Sequence, residues 1–405
     1  MPRIDSIDTL RGFALLGLPL MNLLVFAAPM AAYINPNVHL SDSPLNHFIF
    51  SFLQIFADQK FMGIFSVLFG VGLVLLYEKL KQQDEYGTGT IYLRLAVLMV
   101  FGFLHATYLW SGDILLIYAI GGMLIYPFIG AGKKSLLVVF SFFYVLVILL
   151  STLASGFDSS ELTPLAKYQI DVYFNPSHVQ NQAILDIFLG SMDEIHRFYN
   201  TVTLDGQELD LQAALPIGMF SFAAIFRAYA MMLLGIFLYK TGFATGLASI
   251  GKYRFWSFFG LLIGGVITAF GLVVNYGHDF NDAGIFFSYG NVFVTLGSPL
   301  MVVGYIALFH LPLHKGQTVW SVSFARVGKM ALSFYLLQSV ICVSVFYGVG
   351  LGWFGSLARW ELLLFAIGLA LLQLSIAKVW LTYFKQGPME WLWRSITYRQ
   401  LAPCR

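Results

Sequence analysis

Ser135–Ser155 reads SLLVVFSFFYVLVILLSTLAS and directly follows Lys133-Lys134. The stretch carries no charge and is as long as a helix needs to cross a bilayer, about 20 apolar residues. The two lysines mark its cytoplasmic end, because Lys and Arg accumulate on that side of a membrane. The same reading, carried outward, gives spans near 10–29, 61–78, 92–110, 113–132, 135–155, 216–239, 254–275, 286–310, 328–349 and 361–384. Segment 46–57 is apolar but only about 12 residues long, and fits an interfacial or re-entrant piece. The expected fold class is all-α: a polytopic helical membrane protein with about ten transmembrane helices.

Composition agrees. Of 405 residues, 58% are hydrophobic and 11% charged, whereas soluble domains carry roughly a quarter charged. A net charge of +2 and the lack of any Lys/Arg run exclude a nucleic-acid partner as the main business of the chain. Cys342 and Cys404 are too far apart to suggest a disulfide framework or a metal site. The run from Leu10 to Met30 is too long for a secretory h-region and reads as a retained first helix. No Walker loop, dinucleotide-binding glycine pattern or His-Glu-x-x-His is present.

Charge bias orients the helices. With the N-terminus inside, the cytoplasmic segments hold Arg11, Lys79, Lys81, Arg94, Lys133, Lys134, Lys240, Lys252, Arg254, Lys329, Lys385 and Arg394, among others. The external segments hold only Lys60, Lys167, Arg197 and Arg359. Both termini are therefore expected in the cytoplasm. The chain divides into an N-terminal half, 1–155, an external polar connection, 156–215, and a C-terminal half with a cytoplasmic tail, 216–405. The connection is acidic, with Asp158, Glu161, Asp171, Asp186 and Asp205 among its carboxylates. Within it 182–199 has the apolar spacing of one amphipathic helix. It reads equally as a lid over an outward-facing cavity or as a surface linker.

Ionisable groups are costly inside a membrane and are candidates for function. Asp8 and Arg11 are spaced to pair on one helix. Asn22 lies about 16 Å deeper, at 1.5 Å per residue; its amide is either an inter-helix hydrogen bond or part of a catalytic centre. Asp58 and Lys60 are placed at the external mouth of a helix, as an interfacial ion pair or a binding site. Gly70 and Gly72 below them permit close helix packing. His105 lies in the outer half of its helix, and the turn Trp110-Ser111-Gly112-Asp113 brings Asp113 back to the same side. That is a general-base arrangement, or else a buried structural contact with Asp113 as an N-cap. Arg227 is a clamp for phosphate or carboxylate, or a structural partner of a carboxylate. Tyr335, Gln338 and Ser339 make a polar patch readable as inter-helix glue, and Gln373, Ser375 and Lys378 make another.

These motifs resemble those of the bacterial YeiB-like membrane proteins. The matching residues are Leu10-Arg11-Gly12-Phe13-Ala14-Leu15-Leu16 with Asn22, and Gln59-Lys60-Phe61 with Leu68-Phe69-Gly70. His105 with Trp110-x-Gly112-Asp113-Ile114-Leu115 and Tyr118 also match, as do Tyr335-x-x-Gln338-Ser339 and Gly387-Pro388-x-Glu390-Trp391-x-Trp393-Arg394. The first helix is also similar to that of lysosomal heparan-α-glucosaminide N-acetyltransferase, where an Arg-Gly-x-Ala start precedes a functional Asn. It is similar as well to O-acetylating membrane acyltransferases, which carry His at the position of Asn22. The resemblance implies transfer of an acyl group from cytoplasmic acyl-CoA to an acceptor on the outer side. This sequence has no His at the lysosomal enzyme's distance after Asn22, and His39 and His47 fit only with shifted spacing. His105 takes the role of base because it belongs to the YeiB-like pattern.

The expected function is a transmembrane acyltransferase in the bacterial cytoplasmic (inner) membrane, with acetyl-CoA as donor substrate and no metal. Its expected site is His105, Asp113 and Asn22 for catalysis, with Arg11, Arg94, Asp58, Lys60, Arg227 and Gln338 for binding. Its expected partners are membrane lipid, acyl-CoA and an external acceptor, and small residues on helix faces are compatible with a homo-oligomer. A transporter of a small solute or lipid is the alternative.

Overall fold

Proline and polar breaks, more than changes of hydropathy, cut the chain into its helices. The computed structural model describes residues 5–39, 43–82, 87–154, 162–201, 203–204, 208–280, 283–314 and 316–401. Asp158, Glu161, Asp205 and Cys404 lie outside the described residues. Helix α1, Asp5–Gly17, ends where Pro19 opens α2, Pro19–Ala27; proline suits a first helical turn because its missing N–H is not needed there. A single turn, α3, Ala31–Ile34, leads to α4, Pro44–Phe56, and α5, Lys60–Gln82. Next come α6, Gly87–Tyr108, α7, Leu115–Ile125 with a 3-10 turn to Gly130, and α8, Lys133–Leu153.

Three short helices, α9 Pro164–Phe174, α10 His178–Leu189 and α11 Met192–Thr201, fill the external connection. Helices α12, Leu211–Lys240, and α13, Ile250–Gly277, follow. A short α14, Ala283–Ile285, runs through a π turn into α15, Asn291–Leu313. The chain closes with α16 Val319–Gly328, α17 Ala331–Phe346, α18 Arg359–Tyr383 and α19 Pro388–Tyr398.

Eight stretches are long and apolar enough to cross a membrane, α16 and α17 add a pair bent by 78°, and Leu115–Gly130 is a shorter apolar helix. Among the described residues that is eight spans, or nine if the bent pair is one, roughly consistent with the about ten expected from the sequence. The protein is an all-helical, multi-pass membrane protein.

Two expectations change. Segment 46–57 is not a separate interfacial piece: α4 stands on α5 in a single 39-residue apolar stretch, Pro44–Gln82. Asp58-Gln59-Lys60 forms the break between α4 and α5. The backbone there is left-handed at a non-glycine, Gln59, with φ 61°, a conformation that persists only when neighbours hold it. The Gln59 side chain donates to Asn291 Oδ1 at 3.2 Å, and its carbonyl accepts from Ser298 Oγ at 3.4 Å. Likewise 182–199 is two helices and not one, because Ser191 caps α11 by accepting from Glu194 N at 3.3 Å.

Close helix contacts depend on glycine. A Cβ on Gly12 would lie 1.9 Å from Phe324 O, and one on Gly328 would lie 2.0 Å from Asp8 O. The Arg11-Gly12 motif thus presses α1 against α16 backbone to backbone, the close approach small residues allow in membranes. Gly70 does the same between α5 and α12, 2.1 Å from Met232 O, whereas Gly72 lies beside Arg11 Nη2. Helices from before and after the external connection therefore interleave.

Candidate functional site

His105, in the last turn of α6, is 4% exposed. The tight turn after it returns Asp113, so that His105 Nδ1 and Asp113 Oδ1 lie 2.9 Å apart. The ring N–H is not aligned on that oxygen, so the contact is an ion-pair approach and not an ideal hydrogen bond. Asp113 is held from the other side: Oδ2 accepts from Leu116 N at 2.6 Å. Gly102 makes room, since a Cβ there would meet Leu116 N at 2.4 Å and Asp113 Oδ2 at 2.7 Å.

The other face of the imidazole meets α17. His105 Nε2 is 2.9 Å from Ser339 Oγ. Tyr335, one turn before, packs its ring 5.2 Å from His105 and accepts Ile114 N on its hydroxyl at 3.1 Å. Ser339 and Tyr335 are both buried. The sequence placed Ser339 in a polar patch but gave no sign that it faces His105 from 234 residues away.

Helix α2 completes this centre. Phe26 stacks on Trp110 at 4.1 Å, and Trp110 lies edge-on to His105. Asn22 is one turn below Phe26 on the same helical face. Asn22 is half-buried, and its amide makes no side-chain hydrogen bond among the described residues. Gln338, by contrast, is occupied: its Nε2 donates to Leu15 O at 3.3 Å and Gln373 Oε1 at 3.1 Å, tying α17 to α1 and α18.

The short helices α10 and α11 pack over this centre. Phe188 of α10 stacks on Phe354 at 4.3 Å, and Gly348 N donates to Phe188 O at 2.9 Å. Tyr199 of α11 brings its hydroxyl 3.4 Å from Tyr347 and next to Ser111 and Trp110. The connection is thus a packed cover above His105.

At the opposite end of α6 from His105, Arg11 Nη1 pairs with Asp8 Oδ1 at 3.1 Å and stays partly exposed. Arg94 is within electrostatic reach of both Arg11 and Arg394. The tail helix α19 folds onto this cluster: Trp393 lies 3.7 Å under the Arg94 guanidinium and donates its indole N–H to Arg94 O at 2.8 Å. Glu390 anchors the tail by accepting from Leu332 N at 2.6 Å and Ser333 Oγ at 2.5 Å. Burial holds its carboxyl above the usual carboxylate range.

A second polar centre surrounds the α4–α5 break. Lys60 is wholly buried and donates to Gln54 O at 3.0 Å. Asp58 accepts from the Tyr33 hydroxyl. Arg227 lies within electrostatic reach of Lys60, Tyr33 and Tyr144. It makes no hydrogen bond or ion pair among the described residues. The structure therefore joins Asp58, Lys60 and Arg227 in one centre, and His105 and Asp113 with Ser339 in another; Asn22 lies on the helix whose Phe26 stacks on Trp110. Tyr118 stands between the two: its hydroxyl is 2.7 Å from Ser66 Oγ and donates to Met62 O at 3.2 Å.

Over 412 aligned residues the chain is 31% identical to the uncharacterized protein YeiB of Escherichia coli strain K12, covering 100% of this chain and 98% of the relative. The chain belongs to the YeiB-like family. It is 30% identical to YxaH of Bacillus subtilis strain 168, over 99% of this chain and 96% of that one. It is 25% identical to an uncharacterized 39.9 kDa protein of the amylase 3′ region of Bacillus acidopullulyticus, over 99% and 95%. A family model described as a protein of unknown function, DUF418, matches residues 238–400. The matched part of this YeiB-like chain holds Ser339, Glu390 and Trp393; His105, Asp113 and Asn22 precede it.

Proposed function

We propose that this YeiB-like protein is a transmembrane acyltransferase of the bacterial cytoplasmic membrane. In this reading it takes an acyl group, acetyl in the simplest case, from cytoplasmic acyl-CoA and gives it to an acceptor reached from the outer side. The observation that carries the reading is the vertical order of the groups. Arg11, Arg94 and Arg394 gather at the cytoplasmic end, where CoA phosphates would be met. Asn22 lies about 16 Å above Arg11, and His105 about 16 Å above Arg94, at 1.5 Å per residue. An extended pantetheine arm bridges such a gap. His105 would take the acceptor proton, Asp113 would stabilise the imidazolium, and the free Asn22 amide would donate to the oxyanion.

The test is direct. Purified protein in nanodiscs should bind acetyl-CoA. His105→Ala should keep that binding and the wild-type thermal unfolding while losing acyl transfer by about 10²–10⁴-fold. Absence of acetyl-CoA binding by the wild type sinks the proposal. One observation favours transport instead: a broken span with buried Lys60 and unpaired Arg227 resembles the discontinuous helices that hold transporter substrates. Uptake into proteoliposomes without acyl-CoA would select that reading.

A further inference from the structure

We infer that Ser339 is the nucleophile of a Ser339–His105–Asp113 triad and carries the acyl group as a covalent ester between donor and acceptor. The inference rests on the acyltransfer reading and adds a step to it.

Three observations carry it. The first is the constellation. Ser339 Oγ stands 2.9 Å from His105 Nε2, and His105 Nδ1 stands 2.9 Å from Asp113 Oδ1. In this inference Nδ1 carries the ring proton, which leaves Nε2 to accept from the serine hydroxyl. Nucleophile, base and orienting acid are thus in the order that activated serines use on unrelated folds.

The second is the rotamer of the serine. Serines in these helices normally return their hydroxyl to the carbonyl one turn back. Ser66, Ser221 and Ser375 do so at 2.9, 2.9 and 2.8 Å. The corresponding bond of Ser339, to Tyr335 O, is stretched to 3.5 Å, and the closer contact of its hydroxyl is to the imidazole at 2.9 Å.

The third is an uncommitted amide on the neighbouring helix α2. Asn22 is the half-buried amide on the α2 face that carries Phe26 and, through it, Trp110. It is uncommitted among the described residues and available to an oxyanion.

The step balances without a further reactant. His105 Nε2 takes the Ser339 proton as Oγ bonds to the thioester carbonyl carbon. The carbon–sulfur bond breaks, and the thiolate leaves with that proton as free CoA. The acyl group remains as an ester on Ser339. An acceptor hydroxyl or amine then gives its proton to Nε2 and bonds to the same carbon. The carbon–oxygen bond to Ser339 breaks, and Oγ recovers the proton. A neutral ester at this depth suits the geometry: polyanionic CoA keeps its phosphates at the arginine cluster, and only the acyl group moves outward.

The experiment needs no acceptor. Full-length protein in nanodiscs is incubated with acetyl-CoA and isotopically labelled free CoA. A covalent ester makes the wild type exchange label into acetyl-CoA and places one acetyl group on the peptide containing Ser339. Ser339→Ala should lose both by at least about 10²-fold while binding acetyl-CoA with wild-type affinity and unfolding at the wild-type temperature. If the wild type binds acetyl-CoA but shows neither exchange nor label, transfer is direct and the triad inference is wrong, with the acyltransfer reading intact. Label that persists in Ser339→Ala places the nucleophile elsewhere and also overturns it. If the wild type fails to bind acetyl-CoA at all, the acyltransfer reading falls, and this inference with it.

Discussion

The two polar centres at membrane depth are built on opposite principles. Around His105, polar atoms are organised into a chain: Ser339 to the imidazole, the imidazole against Asp113, and Asp113 capped by a backbone N–H. Around the α4–α5 break, formal charge is unbalanced, with Lys60 and Arg227 facing the single carboxylate of Asp58. A chain of polar atoms can move a proton with little rearrangement. A surplus of cations with one uncommitted guanidinium is suited to hold something anionic. The difference teaches that polar residues in lipid are not one category. Their partners decide whether they do chemistry, bind charge or merely join helices, as Gln338 does.

The sharpest way to break the comparison is Asp113→Asn. It keeps shape and packing, but the amide would donate to Nδ1 and force the ring proton onto Nε2. His105 could then no longer accept from Ser339. Acyl transfer should fall about 10²–10⁴-fold with the unfolding temperature unchanged. Single-turnover kinetics beside thermal unfolding would read this. An unchanged rate would demote the His105 centre to a structural contact.

The contrast between centres also explains what the sequence could reveal. Crossing number was legible because a bilayer imposes length, and Ser135–Ser155 could be little else. The His105–Asp113 pair was legible because a tight turn joins its two helices. The contact of Ser339 with His105 was not legible, because nothing local says which helix α17 packs against. The backbone form of the break at Asp58–Lys60 was not legible for a related reason. Its left-handed Gln59 is stabilised by Asn291 and Ser298 of α15, and such support is tertiary. Arg227 could be flagged by its cost in lipid, but its neighbours could not.

Lys60→Met should be the most damaging change to stability. It deletes one of the two cations of the centre and leaves buried Asp58 with the Tyr33 hydroxyl and the field of Arg227, a loss of up to about 3 kcal/mol. Chemical or thermal unfolding in detergent would measure it, and a loss under about 1 kcal/mol would mean that Asp58 does not depend on Lys60.

Outward of the break the positive surplus continues. Arg359 donates to Ala32 O at 2.8 Å, and His39 stands within its field. Burial first, and then Arg359, push the His39 imidazole down to about 4. Its unfolded value is about 6.5. The unfolded state therefore binds more protons as pH falls from about 6.5 to about 4, and stability drops across that window. Partial exposure limits the loss to about 1–2 kcal/mol. His39→Gln should flatten the unfolding temperature over this pH range; an undiminished slope would assign it to other groups.

Arg227→Gln should have the smallest effect on stability and separates the two explanations of the charged centre. An arginine that pairs structurally leaves a costly vacancy when removed. An arginine without hydrogen bond or ion pair loses only loose packing, about 0.5 kcal/mol or less. If it instead holds an anionic substrate, KM should rise with kcat nearly unchanged, because binding is lost equally in ground and transition states. The decisive comparison is with Lys60→Met measured side by side. Equal destabilisation would make Arg227 a structural member of the break. A stable Arg227→Gln protein with raised KM would make the break the charge-binding centre beside the one that moves the proton.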